Sequence, residues 1–379
     1  MILTQNREIL DRRLKALRRR LAEDGAANAD TAWILQPENR RYLSGFKASD
    51  TQLTESSGSL LITENQAVLI TDSRYTTEAR MEAPGFEVRT LKRDPVSDLP
   101  DILRSIGTKQ LGFEGDYLTW GMHRQLGEAT KKLSNPIGLE PLPTILEDLR
   151  EIKDERELHT LRDAADLISD ILKEVIKEIR SGTTEKEVAR RIESLAMTGG
   201  AEALSFPSIV ASGPNSALPH AVPTDRKLRV KEPIVIDAGV RLNGYCSDMT
   251  RTVFIGEPEP DFKNIYRIVR EAQSAAIKAI KPGRSTTEID GIARSIIETA
   301  GYGTYFGHGL GHGLGLATHE RPKLGPRKPV PLKKGWWSRW NPGFISQARG
   351  NQTGGNGGGH GHRRRDPHLK PGCLRLLVK

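Results

Sequence analysis

Two aspartates, Asp237 and Asp248, lie either side of an Asn-Gly pair in the stretch from Pro233 to Phe254, PIVIDAGVRLNGYCSDMTRTVF. Asn243 and Gly244 both tolerate positive φ, which a two-residue type I′ hairpin turn demands. Ile234 to Ile236 and Val253 with Phe254 supply β-branched and aromatic strand segments on either side. In that register Leu242 faces Tyr245, Gly239 faces Asp248 and Asp237 faces Thr250. The two carboxylates then share a face as diagonal neighbours, with roughly 7 Å between their β-carbons. Gly239 is expected to leave open space beside them. Carboxylates this close repel unless one is protonated or a cation intervenes. A solvated hairpin with incidental acids is the plainer reading, but the stiff apolar run Pro233 to Ile236 predicts a buried strand end, where unpaired charge is costly. A pair of metal ions about 3.5 to 4 Å apart, bridged by carboxylates, would resolve the repulsion.

The second informative stretch is Tyr305 to Pro322, YFGHGLGHGLGLATHERP. Glycines at 307, 309, 311, 313 and 315 exclude a stable helix, since each costs about 1 kcal/mol there, and predict a backbone that something approaches closely. A phosphate-cradling loop is excluded because neither G-x-x-x-x-G-K-[ST] nor a G-x-G-x-x-G that opens a helix is present. The residues between the glycines are His308 and His312, followed by His319 beside Glu320. Three of the nine histidines in the chain fall in this short span, which points to metal ligation or proton transfer. Imidazole combined with aspartate oxygens suits Mn, Co or Zn better than a thiolate site does. A further histidine, His220, is the one titratable side chain in the turn-rich segment FPSIVASGPNSALPHAVPT, from 206 to 224. Alone it reads as a surface or core histidine.

The positioning elements read as follows. An N-terminal amphipathic helix uses Ile9, Leu10, Leu14, Leu17 and Leu21. Ala32 to Leu35 and Tyr42 to Phe46 read as short strands flanking the turn-rich Gln36 to Asn39. Ser59 to Thr63 and Ala67 to Thr71 form a hairpin. Helices follow at Arg74 to Met81, Asp98 to Ile106 and Leu118 to Lys131, with a strand at Gln110 to Glu114. Pro136, Pro141 and Pro143 read as a linker. Beyond it, Leu158 to Ile171 keep a helical apolar face, and a second helix has Thr184 and Glu187 at capping-box spacing. Segment 206–224 reads as irregular. Phe262 to Lys281 and Thr287 to Ala300 read as amphipathic helices.

At 379 residues the chain exceeds what one core normally serves, so two domains are expected. Two cysteines imply no disulfide framework. No apolar run is long enough to span a membrane, and the charged N-terminus lacks a signal-peptide core, so a cytoplasmic protein with no membrane partner is expected. From Gly335 onward eight basic residues face the single acid Asp366, which accounts for +7 of the formal net charge of +9. Basicity confined to that stretch argues against a nucleic-acid partner for the folded body.

The segments SGPNSALPHAVPT, VIDAGVRLNGYCSDMTRT and FGHGLGHGLGLATHERP resemble, in order and spacing, the Xaa-Pro aminopeptidase and prolidase group of pita-bread metallopeptidases, relatives of creatinase and methionine aminopeptidase. NRRYLSGF and LLITENQAVLITDSRYTTEA are similar to that group's creatinase-type N-terminal domain. The resemblance runs from about residue 10 to residue 335. It implies an α/β (α+β) chain, with a creatinase-like domain over 1–145, a pita-bread catalytic domain over 150–335, and an aberrant basic Gly/Arg/His tail over 336–379 that leaves the C-terminal part incomplete. It implies metal-assisted hydrolysis of the peptide bond preceding proline, with two divalent ions, Mn, Co or Zn. Asp237, Asp248 and His312 would be metal ligands; His220, His308 and His319 would be catalytic or substrate groups. The expected partners are a proline-containing peptide and a second copy of the chain. Two alternatives stand beside this: a catalytically dead pita-bread protein acting as a binding module, and a creatinase-like hydrolase needing no metal.

The chain departs from the group after the histidine motif, where two glutamate ligands are due, the first in a Glu-Pro-Gly setting. From Gly335 the sequence GWWSRWNPGFISQARGNQTGGNGGGHGHRRRDPHLKPGCLRLLVK contains no glutamate. Trp336 to Asn341 can be encoded TGG TGG TCN CGN TGG AAY. Read one base earlier this becomes NTG GTG GTC NCG NTG GAA, which permits Met-Val-Val, two partly free residues and Glu. Pro342 to Ile345 in the same frame permit Pro, Gly, an aliphatic residue and Tyr. The group's usual run there is close to Met-Val-Val-Thr-Val-Glu-Pro-Gly-Ile-Tyr. A frameshift just before Trp336 is therefore expected, leaving Asn341 where the first glutamate belongs and weakening metal binding.

Overall fold

The computed structural model describes residues 2–23, 29–49 and 56–333, the side chains of 2–6 and 23 excepted. The tail from Trp336, with Asn341 and the two missing glutamates, lies outside the described residues. The chain divides into a unit ending at Arg150 and one beginning at Glu151.

The first unit is a six-stranded mixed sheet with helices. Its elements are α1 (Ile2–Glu23), β1 (Thr31–Ile34), α2 (Pro37–Ser44), β2 (Ser59–Thr63), β3 (Ala67–Thr71), α3 (Thr76–Glu82), β4 (Glu87–Thr90), α4 (Pro95–Ser105), β5 (Gln110–Phe113), α5 (Trp120–Lys131), β6 (Gly138–Pro141) and α6 (Ile145–Glu151), the last running one residue past the division. The strand order is β4-β3-β2-β1-β5-β6. The hairpin β2–β3 is antiparallel, as its two apolar runs predict, while β5 and β6 join parallel to β1 and to each other. Trp33, Leu61, Val68, Leu99, Leu103 and Leu111 are among its buried core. In α1, Leu14 and Leu17 are buried as the periodicity predicts.

Three expectations fail here or just beyond. Tyr42 and its neighbours form α2, not a strand. Pro37 sits in its first turn, Glu38 complements the helix dipole there, and Gly45 closes it at φ 81°, all helix-boundary signals. The proline-rich linker contains β6, an edge strand, the place in a sheet where Pro141 costs no ladder bond. The stretch 206–224 is not wholly irregular, because β8 (Ile209–Ser212) is a fully buried strand within it.

The second unit begins with α7 (Glu155–Glu178) and α8 (Glu185–Thr198), followed by β7 (Ala203–Leu204), β8, β9 (Pro233–Ala238), β10 (Val240–Leu242), β11 (Tyr245–Cys246) and β12 (Met249–Phe254). Then come α9 (Pro260–Ala279), α10 (Thr286–Thr299), β13 (Gly311–Gly313) and β14 (Glu320–Leu324). Strands order as β12-β9-β8, β11-β10-β7 and the pair β13-β14. Ile168, Leu172, Ile192, Ile234 and Ile236 belong to one core, and Ala272, Ala276, Ile289, Ala293 and Phe306 to another. The capping box is present: Thr184 accepts from the Glu187 amide, and Glu187 accepts from the Thr184 amide. Thr184→Ala is expected to cost about 1 kcal/mol, read as a lower urea midpoint at unchanged slope.

Candidate metal centre

The register of the central hairpin is as the turn predicts. Asn243 and Gly244 adopt φ 48° and 86°, Leu242 pairs with Tyr245, and Asp237 pairs with Thr250. Asp237 lies in the buried end of β9, before Ala238, and Asp248 precedes β12; they are 1 % and 2 % exposed. The Thr250 hydroxyl donates to Asp237 Oδ1 at 2.6 Å. Both oxygens of Asp248 are shut off from solvent.

Gly239 leaves no open space. A Cβ there would collide with the Ser247 carbonyl, because the facing strand crosses Gly239 within backbone contact. The glycine is a close-approach position, and the expectation of a gap for an ion beside it is wrong. Gly239→Ala is expected to destabilise the chain by about 1 to 3 kcal/mol through overpacking, measurable as a lower midpoint of chemical denaturation.

The glycine-rich stretch folds back as the β13–β14 pair, with His312 opposite Lys323 and a bulge between His312 and Gly313. What comes close to its glycines is β14 itself, since a Cβ at Gly313 would strike the Arg321 carbonyl. The loop between the strands is tied to the hairpin: the Cys246 amide donates to Gly315 O at 2.8 Å, and the Thr318 hydroxyl donates to Ser205 O at 3.1 Å. Burial pushes the Cys246 thiol up.

This folding brings His312 Nε2 to 3.7 Å from Asp248 Oδ2. The His319 ring lies against that of His312, centroids 4.3 Å apart. The Nδ1 atom of His312 lies 3.0 Å from Gly313 O, which leaves Nε2 as the atom facing Asp248. His308 makes two contacts with its own loop. Its ring meets Phe306 edge-on, and its Nδ1 lies 2.8 Å from Gly309 O. His220 is exposed, in the turn after a 3-10 segment at Gly213–Ala217. The structure thus gathers Asp248, His312 and His319, keeps Asp237 on the paired strand, sets His308 against Phe306, and leaves His220 exposed.

Glu320 contributes through a partner that the sequence does not show. Glu320 accepts from the Ala317 amide at 3.0 Å and from Lys153 Nζ at 3.0 Å, in an ion pair whose side chains are 6 % and 7 % exposed. It closes the loop that carries His319. Its place next to His319 was visible; its partner, 167 positions away, was not.

Two deeply buried carboxylates, one of them 3.7 Å from an imidazole, form a donor set whose chemistry suits a divalent cation, and burying such charge uncompensated is costly. Among the described residues, however, no group of three or more His, Cys, Asp or Glu is drawn together closely enough to hold an ion. The set fits by type and falls short by number.

Comparison with known proteins accords with this arrangement. The sequence profile of the Creatinase/Prolidase N-terminal domain matches residues 13–152, and that of Metallopeptidase family M24 matches residues 159–364. The Xaa-Pro dipeptidase of Pyrococcus furiosus is 35 % identical over 316 residues, 83 % of this chain and 86 % of that protein. Among solved structures, the Xaa-Pro dipeptidase from Bacillus anthracis superposes with a TM-score of 0.77 at 35 % identity, covering 85 % of this chain and 87 % of that one. The X-Pro aminopeptidase from Thermotoga maritima superposes with a TM-score of 0.71 at 35 % identity, covering 82 % and 87 %. With its mixed α/β creatinase-type domain followed by the pita-bread peptidase domain, the chain belongs to Metallopeptidase family M24.

Proposed function

We propose that this chain is built for metal-dependent hydrolysis of the peptide bond preceding proline, and that the polypeptide as written performs it weakly. The observation that carries the reading is the approach of His312 Nε2 to Asp248 Oδ2, 3.7 Å across 64 positions of sequence, in a family of metallopeptidases whose relatives here are Xaa-Pro peptidases. Asp237, Asp248 and His312 are the residues that would hold divalent ions, Mn, Co or Zn. Such ions supply Lewis-acid polarisation of a carbonyl and a water of lowered pKa. The protein's own groups do the rest. Thr250 orients Asp237 by its hydrogen bond, and the His319 ring packs on His312. His220, His308 and His319 are the groups that would touch the peptide and pass protons at its carbonyl and proline side. A homodimer in the cytoplasm, with domains over 1–145 and 150–335 and an aberrant tail over 336–379, completes the proposal.

The test is proline release from Ala-Pro by the purified chain. Slow release that needs added Mn or Co, stops on chelation and vanishes in Asp248→Ala is the expected result. Release that survives chelation would favour the creatinase-like, metal-independent alternative and sink this one.

A further inference from the structure

Glu185, the first residue of α8, is a fully buried carboxylate that the reaction does not use. Five donors converge on it. Its Oε1 accepts from the Ser212 amide at 2.7 Å and the Ser212 hydroxyl at 2.8 Å; its Oε2 accepts from the Thr224 amide at 3.0 Å and the Thr224 hydroxyl at 2.7 Å. The Asn215 amide nitrogen lies 3.1 Å from both oxygens. Ser212 is the last residue of β8, Asn215 lies in the 3-10 turn that follows, and Thr224 ends the excursion. One carboxylate therefore holds the entry, the first turn and the exit of a single loop. That loop carries His220 on its exposed side, between Leu218 and Val222, which are 57 % and 77 % exposed.

The surroundings make the carboxylate hard to replace. Burial by itself would raise its pKa, but the donors from Thr224 and Ser212 outweigh burial and hold it below the usual carboxylate value. Arg226 donates to the same Ser212 hydroxyl at 2.6 Å while paired with both oxygens of Glu232, so the entry side is held by two charged groups. An amide in place of the carboxylate offers one acceptor oxygen and brings two donors of its own into a site already rich in donors.

We propose that Glu185 is the positioning residue for His220, fastening both ends of the 213–223 loop so that the imidazole is presented to a peptide at a fixed place. This rests on the reading of His220 as a substrate group, and the experiment separates the two. In the full-length chain, Glu185→Gln is expected to speed amide hydrogen exchange across 213–223 about tenfold, with α7 and α9 unchanged. Binding of Ala-Pro, followed by calorimetry with Mn present, is expected to weaken in Glu185→Gln and in His220→Ala alike. The double variant is then expected to lose no more than His220→Ala alone, because a positioning residue acts through the group it positions. Should Glu185→Gln fail to fold, Thr224→Val removes one donor to the carboxylate, together with the acceptor of the Arg226 amide, and is expected to move loop exchange and binding the same way by a smaller factor. Loop exchange that stays unchanged in a folded variant overturns the fastening. Additive losses in the double variant overturn the positioning role and leave Glu185 a structural residue. Faster loop exchange with Ala-Pro binding indifferent to His220→Ala overturns the reading of His220, and the role assigned to Glu185 with it.

Discussion

Shifting the reading frame by one base just ahead of the Trp336 codon will raise Xaa-Pro hydrolysis by a factor of about a thousand or more, read as proline released from Ala-Pro at saturating Mn. The chain as written has no glutamate after Gly335. In the alternative frame the Trp-Asn pair at 340–341 necessarily encodes glutamate, because TGG AAY contains GAA. A positioned general base contributes typically 10²- to 10⁴-fold, and a neutral amide such as that of Asn341 cannot serve as one at any ordinary pH. The two aspartates, buried on their hairpin, are then the remaining carboxylates of the candidate centre, which accords with a donor set short by number among the described residues.

Metal binding should change in parallel. With the frame restored, an ion held at a hundred times its dissociation constant stabilises the fold by about 2.7 kcal/mol, and a thermal scan with and without Mn will show it. The written chain should show a much smaller shift. Equal rates and equal shifts for the two frames would remove the frameshift from consideration and return attention to a binding module that has lost its chemistry.

The legible parts of this chain were those where local chemistry decides structure. Asn243 and Gly244 specify a turn whose geometry sets the register, so the pairing of Asp237 with Thr250 could be derived. The Thr184–Glu187 box needs only a spacing of three positions at a helix start. The errors came where neighbours distant in sequence decide. Tyr42 is the exception: its apolar neighbours mimic a strand, but the local signals Pro37 and Gly45 mark a helix. The run Ile209 to Ser212 is too short to show a period, and only β9 alongside it makes it a strand. Gly239 was read as space because a sequence does not show that Ser247 crosses it. The meeting of His312 with Asp248, and of five donors with Glu185, depends on packing, so in the sequence the first was accessible through family resemblance and the second not at all.

The chain will also lose stability as the pH rises from about 4.5 to 7, and Glu114→Gln will remove most of that slope. Glu114 opens the turn after β5, where it accepts from the amides of Leu35 and Gln36 and from Asn39 Nδ2. Its apolar neighbours Leu17, Ile34, Leu142 and Leu146 line the cavity beside it. Burial pushes its carboxyl up to about 7 from 4.5, overriding the three donors, and the charge of Glu147 adds to the rise. A folded-state pKa above the unfolded value means that the folded chain binds the extra proton between those two values. Stability is therefore highest below pH 4.5 on this account and falls until about pH 7, then levels off. A shift of that size corresponds to roughly 3 kcal/mol. Asp72, Asp94 and Asp98 shift the opposite way, held low by hydrogen bonds, so their effect lies on the acid side of the window and does not mask it. Urea unfolding of the first unit, followed by hydrogen exchange in β1 and β5 at pH 5 and pH 7.5, measures the difference. A Glu114→Gln chain that keeps the full slope would assign the titration to some other group. A flattened slope would make the buried turn at Glu114 a part of the N-terminal unit that is held more firmly when protonated, even though three N–H groups point at it.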